Sequence, residues 1–302
     1  MIHIHNIQTK HGIGPQYQPD DSFKAAARLH QSEFRTNKLN VNYDRYGSCL
    51  TETDARQLLN YYDHLDVRQI LRRRYPKYSK NRDANLLRSE HIPFNLFAPL
   101  VNRAALTEQI LKNIISRKLR QPIRIEFEWA PKPAENYLDD HTSFDTYIEA
   151  RDNHEQLIGI GIEVKYTERG YPVGKSEAKR VSNPDSLYWK VTRQSYVFRD
   201  NKCQILGKND MRQIWRNHLL GLALKQTGDV DQFILLTIYP AGNRYMAESI
   251  SRYRNLLTDD GKNNCLGLTF EDYIAGIKGG DEIMEWKKYL QKRYIVESSD
   301  GS

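Results

Sequence analysis

The stretch from Gly159 to Glu168, GIGIEVKYTE, constrains the fold more than any other. Its apolar residues mark a strand, and side chains alternate along a strand. Ile160, Ile162 and Val164 therefore share one face, and Glu163 and Lys165 share the other. In a sheet packed on both sides, two charges sit in an apolar layer. That costs free energy unless they pair or hold a ligand. On a half-exposed sheet they form an ordinary surface salt bridge.

The rest of the chain argues for a covered sheet. Gln232 to Pro240, QFILLTIYP, is a nearly continuous apolar run, as expected of a central strand buried on both faces. Residues 123–129 alternate, with Ile123, Ile125, Phe127 and Trp129 on one face and Arg124, Glu126 and Glu128 on the other. With strands over 143–150 and 157–167 they form an expected antiparallel meander. Helices are predicted over 22–34, from a Thr51 cap to about Arg74 before Pro76, and over 96–118. Others follow over 210–226 with Gly228 closing, 246–257 and 281–294, and a short strand over 265–270. The order gives an α+β sandwich around one mixed sheet. Residues 1–85 are expected as an N-terminal basic and aromatic extension, 86–295 as the main domain, and 296–302 as a disordered tail.

No apolar run approaches the roughly 18 residues of a membrane helix, and the start, MIHIHNIQTK, has no secretory pattern. Three scattered cysteines fit a reducing cytoplasm and argue against a disulfide framework or zinc cluster. The net charge of +7 is concentrated in two stretches. Residues 68–82 carry seven basic side chains and no acid, among them Arg72, Arg73, Arg74, Lys77 and Lys80. Residues 169–202 carry eight against three acids, including Lys175, Lys179, Arg180, Lys190 and Arg193. Both contain aromatics: Tyr75 and Tyr78 in the first, and Tyr171, Tyr188, Trp189, Tyr196 and Phe198 in the second. A basic surface with aromatics fits nucleic acid, with cations on phosphates and rings on bases; a solvated charged face is the plainer reading.

Asp145 lies on the middle strand of the meander, eighteen residues before Glu163. A tight hairpin brings the two carboxylates together, and with the Val164 carbonyl they offer hard oxygen donors for Mg²⁺. Lys165 beside them suits orientation of a water or stabilisation of a phosphorane. An aspartate on one strand followed by Glu163-Val164-Lys165 on the next resembles the PD-(D/E)XK nuclease superfamily. Phe144 replaces the usual proline. The element order over about 85–240 fits its core, and SEHIPFNLFAPL, EVKYTE and RQIWRNHLL are similar to a bacterial restriction-endonuclease-like group.

The resemblance implies a restriction-endonuclease-like core and a Mg²⁺-dependent DNA endonuclease, with Mn²⁺ as substitute. It implies Asp145, Glu163, Lys165 and Gln213 as catalytic residues, and Asp145, Glu163, Val164 and Glu90 as metal ligands, with Glu128 as rival to Glu90. It further implies double-stranded DNA as partner, a homodimer, a type II restriction or phage-defence role, and a cognate methyltransferase. A DNA-repair nuclease or a non-catalytic nucleic-acid-binding protein on the same fold are the alternatives. The plain readings remain beside these: Asp145 as a turn residue, Glu90 as a cap, Gln213 as an ordinary helix residue, Glu168 as a solvated strand end, His91 as no metal ligand, and His3 and His5 as a polar strand face.

Overall fold

A computed structural model describes residues 12–115, 119–170, 172–200 and 203–296. His3, His5, Tyr171, Lys202 and the expected tail after Val296 lie outside the described residues.

Five strands form one sheet in the order β1-β2-β3-β4-β5: β1 Leu119–Trp129, β2 Phe144–Asp152, β3 Leu157–Val164, β4 Gln232–Tyr239 and β5 Cys265–Thr269. The first three pair antiparallel, and β4 and β5 join parallel. The sheet is thus mixed and covered on both sides. Ile158, Ile160, Ile162 and Val164 of β3 face one apolar cluster with Ile234, Leu236 and Ile238 of β4. Helices α1 (Ser22–Phe34), α3 (Val67–Arg74), α4 (Ile92–Phe97), α5 (Ala104–Ile114), α11 (Phe270–Ala275) and α12 (Asp281–Tyr294) contribute to it. Ala27, Tyr61, Leu65, Val67 and Leu71, all before residue 85, belong to this cluster.

The other face carries α7 (Leu187–Ser195), α8 (Asn209–Thr227) and α9 (Arg244–Asn255). Here β3 presents Gly159, Gly161 and Glu163, and the glycines have a steric reason. A Cβ on Gly161 would lie 2.4 Å from the Phe144 ring and 2.7 Å from Phe233. The two rings stack with centroids 5.5 Å apart and fill the layer that the glycines vacate. A Cβ on Gly221 of α8 would meet Phe233 at 1.9 Å, so the helix seats directly on that ring.

Several expected elements differ. The predicted helix from Thr51 to Arg74 is two: α2 (Glu52–Arg56), capped by Thr51 Oγ1 on the Asp54 amide, and α3. Leu58, Leu65 and Asp66 at φ 60, 54 and 64 turn the chain between them, burying Tyr61, Tyr62 and Leu65. The predicted helix over 96–118 breaks at Pro99 and at Asn102, φ 63, and α5 ends at Ile114. Strand β1 departs from strict alternation. Its register shifts around Pro122, and Ile123 is 51% exposed. Glu128 at φ 50 lies between Phe127, which packs in the first cluster, and Trp129, which packs against the second.

The basic stretch after β3 folds into α6 (Lys175–Ser182) and α7. Tyr188, Trp189 and Phe198 are core residues there rather than exposed stacking platforms. Hydrophobic burial takes these rings; Tyr196, at 85% exposure, stays in solvent. The remaining helix, α10 (Asp259–Asn263), leads into β5.

Candidate active site

The site forms where β2 and β3 part. Their last paired residues are Thr146 and Ile162. One residue further on, the Asp145 carboxylate replaces the missing ladder partner: its Oδ2 accepts from the Val164 amide at 2.7 Å. Strand β3 continues beside β4, and the Lys165 amide donates to Ile238 O at 2.9 Å. The fork therefore brings Asp145, Glu163 and Lys165 together.

Glu163 and Lys165 do form the pair their spacing allows, and it is not a surface bridge. Lys165 Nζ lies 2.7 Å from Glu163 Oε1, with side-chain exposures of 12% and 9%. Helix α8 supplies two further donors one turn apart. Gln213 Nε2 donates to Glu163 Oε1 at 2.5 Å, and Asn217 Nδ2 donates to Oε2 at 2.7 Å. Both oxygens of one buried carboxylate are thereby fixed, which charge-assisted hydrogen bonds do well. Gln213 is the helix glutamine that the resemblance brings toward the site; Asn217 has no such counterpart in the sequence. Its only signal is the four-residue spacing in Gln213-Ile214-Trp215-Arg216-Asn217, which sets both amides on one helix face.

A third carboxylate faces this pair. Burial, then repulsion from Glu163, pushes the Glu128 carboxyl up to about 7; the Ser143 hydroxyl and Arg74 oppose this, and Glu90 adds to it. Asp145 is raised well above the ordinary aspartate range by burial and by Glu163 and Glu128, against Lys165 and the Val164 amide. Burial pulls Lys165 down, but Glu163, Asp145 and Glu168 outweigh it and hold its ammonium above the usual lysine value. Glu90 reaches the site through its charge, while its carboxylate is bound by Arg88 at 2.6 and 2.9 Å.

Two neighbours brace the fork. Glu168 accepts from the Ser89, Tyr166 and Thr167 amides at 2.9, 2.9 and 3.1 Å, tying the chain just after β3 to the Glu90 loop. Arg74 donates to the carbonyls of Phe127 and Glu128 at 2.8 and 3.0 Å, holding β1 against the site. Behind α8, Glu177 of α6 is buried beside Arg212 at 3.1 Å and Arg216 at 3.4 Å. The basic helix α6 is thus fastened to the helix that holds Glu163.

Among the described residues no three His, Cys, Asp or Glu side chains are drawn together as a metal cluster. The donor chemistry nonetheless fits a hard divalent cation. Asp145, Glu163 and Glu128 are oxygen donors, two of them raised by burial and then by mutual repulsion, with Lys165 as their close cation.

The expected nucleic-acid residues are dispersed over the surface. Arg72, Arg73, Lys77, Lys175, Lys179 and Lys190 are exposed. Lys80 pairs with Asp44 at 2.8 Å, Arg180 donates to Asp139 O and to Ser176, and Arg193 donates to Pro184 O.

A five-stranded mixed sheet flanked by helices, with acid, acid and lysine at a strand fork, defines a nuclease-type α+β fold. The family model described as PD-(D/E)XK nuclease superfamily matches residues 18–296. The chain belongs to that superfamily. No curated protein and no solved structure matches it. Members of the superfamily generally use divalent metals, and no helix among the described residues is long and apolar enough to cross a membrane.

Proposed function

We propose that this protein is a Mg²⁺-dependent DNA endonuclease, working as a type II restriction enzyme or a related phage-defence nuclease in the cytoplasm. The observation that carries this reading is the buried Glu163–Lys165 pair beside Asp145 at the β2–β3 fork. Asp145, Glu163 and the Val164 carbonyl would hold the ion, with Glu90 or Glu128 completing its shell. A bound Mg²⁺ would lower the pKa of a water and offset charge at the phosphate, and Mn²⁺ would substitute.

The protein's own residues then have distinct tasks. Gln213 and Asn217 fix the Glu163 carboxylate in one orientation. Lys165, protonated at neutral pH, sets a positive charge beside the phosphoryl oxygens as water attacks phosphorus and the ester oxygen leaves with a proton. Exposed lysines and arginines on α3, α6 and α7 contact the backbone of double-stranded DNA, and the segment before residue 85 adds to that grip. Two scissile strands call for two sites, hence a homodimer, and a restriction role calls for a methyltransferase partner.

Plasmid DNA incubated with the protein and Mg²⁺ tests the proposal. Discrete bands that vanish with EDTA and with Lys165→Ala support it, with a loss of about 10²-fold or more expected. Intact plasmid with either Mg²⁺ or Mn²⁺ would leave the non-catalytic reading.

A further inference from the structure

Away from the fork, α1, α4 and α12 enclose a second polar cluster. Its centre is Arg293, which is 0% exposed. Nη2 donates to Asn60 Oδ1 at 2.5 Å, while Nε and Nη1 have no hydrogen-bond partner. Among the described residues no carboxylate lies within ion-pair reach of this guanidinium. The rings of Phe34 and Tyr294 lie 4.5 and 5.6 Å from its carbon. Every contact found is therefore with a neutral group.

The surroundings carry more polar atoms without partners. The Tyr289 hydroxyl, one helical turn before Arg293, is buried and unpaired. His91, 0% exposed, is held well below the ordinary histidine range by burial and by the Arg293 charge, against a backbone hydrogen bond at Arg88, and so adds no charge to the cluster. Gln31 spends its Nε2 on Tyr166 Oη at 2.8 Å and Arg293 O at 2.6 Å, leaving Oε1 unpaired. Arginine stays protonated at any pH a cell reaches, so neutralising itself is not open to it. An isolated buried charge is costly unless paired. Ring faces recover only part of that cost.

We propose that Arg293, with the Tyr289 hydroxyl as a further donor, binds a small monovalent inorganic anion such as chloride inside the protein. One permanent positive charge matches one negative charge. The full burial of Arg293 suits a bare ion better than an oxyanion carrying a substituent. The bound ion is structural: it neutralises Arg293 of α12, whose carbonyl accepts from Gln31 of α1, and Gln31 links this junction to Tyr166, the residue after Lys165. This site does not depend on the nuclease reading.

Thermal melting at constant ionic strength, with sodium chloride replaced stepwise by sodium gluconate, tests it. The melting temperature is expected to rise saturably with chloride in the wild type, by several degrees, and to be insensitive to the exchange in Arg293→Met. Equal melting in both salts, or the same chloride response in Arg293→Met, overturns the proposal in favour of buried water. Should Arg293→Met not fold, wild-type crystals grown in sodium bromide decide. An anomalous peak beside the guanidinium supports the site, and its absence sinks it.

Discussion

Glu163 is an acid held by an ammonium and two amides, and the balance among these donors sets what the site can bind. Asn217→Ala leaves Oε2 without its donor while keeping the lysine and Gln213 contacts. Loss of a supporting hydrogen bond to a metal-ligating carboxylate weakens metal affinity by about 10- to 100-fold. Titrating Mn²⁺ into Asn217→Ala and following the free-ion EPR signal should show that loss; equal affinity would mean Asn217 serves packing alone. Glu128 gives a second prediction. Its native carboxyl is raised from 4.5 to about 7, so the proton-bound form is favoured by folding. Its contribution to stability is fully present below about pH 4.5 and is lost as pH rises through 7. Glu128→Gln keeps a neutral group throughout. In EDTA it should exceed the wild type by about 3 kcal/mol at pH 8, from the size of the shift, and match it near pH 4.5. Urea melts at the two values decide, and a constant difference would exclude Glu128 as the titrating group. Asp145, Glu163 and Lys165 are legible in the sequence because strand alternation and a short motif place them. The contacts of Asn217 and Glu128 are not, because one depends on the rotation of α8 and the other on a positive φ in β1.

At the level of elements, α8 matters most, since it carries both amides and seats on β4 through Gly221. A side chain there meets the Phe233 ring at 1.9 Å, and Phe233 is itself packed against Phe144 and over Gly161. Gly221→Ala is therefore expected to cost about 1–3 kcal/mol through overpacking, even though alanine favours helix more than glycine. Pairing it with Phe233→Leu should recover part of the loss, because the smaller side chain yields the space. Urea denaturation of the single and double variants checks this; a stabilised Gly221→Ala would mean the helix shifts freely on the sheet. Long periodic runs such as α8, β4 and α12 are legible from sequence, each with a clear start and stop. The breaks within the two predicted N-terminal helices are not. Leu58, Leu65 and Asn102 are residues that ordinarily sit in helices or turns, and tertiary burial of Tyr61, Tyr62 and Leu65 drives the positive φ values between α2 and α3. The same burial removes Tyr188, Trp189 and Phe198 from the expected binding surface.

For the whole molecule, the excess of positive charge is divided between two faces that are distant in sequence, one on α3 and one on α6 and α7. Both α6 and α7 are tied to the helix that holds Glu163, α6 through Glu177 with Arg212 and Arg216, and α7 through Trp215 Nε1, which donates to Thr192 Oγ1 at 3.0 Å. Each phosphate contact releases counterions, and the logarithm of affinity falls with the logarithm of salt by about 0.9 per contact. Lys175→Ala with Lys179→Ala should thus reduce that slope by up to about 2 and weaken binding similarly for every sequence. Arg72→Ala with Arg73→Ala makes the same forecast for the other face. If one duplex spans both, the quadruple variant loses the sum of the two reductions; if the faces serve different molecules, the second pair of changes adds nothing. Fluorescence anisotropy of a labelled duplex in EDTA, from about 50 to 200 mM salt, measures all three without cleavage. Unchanged slopes in both double variants would return these side chains to the role of a solvated surface.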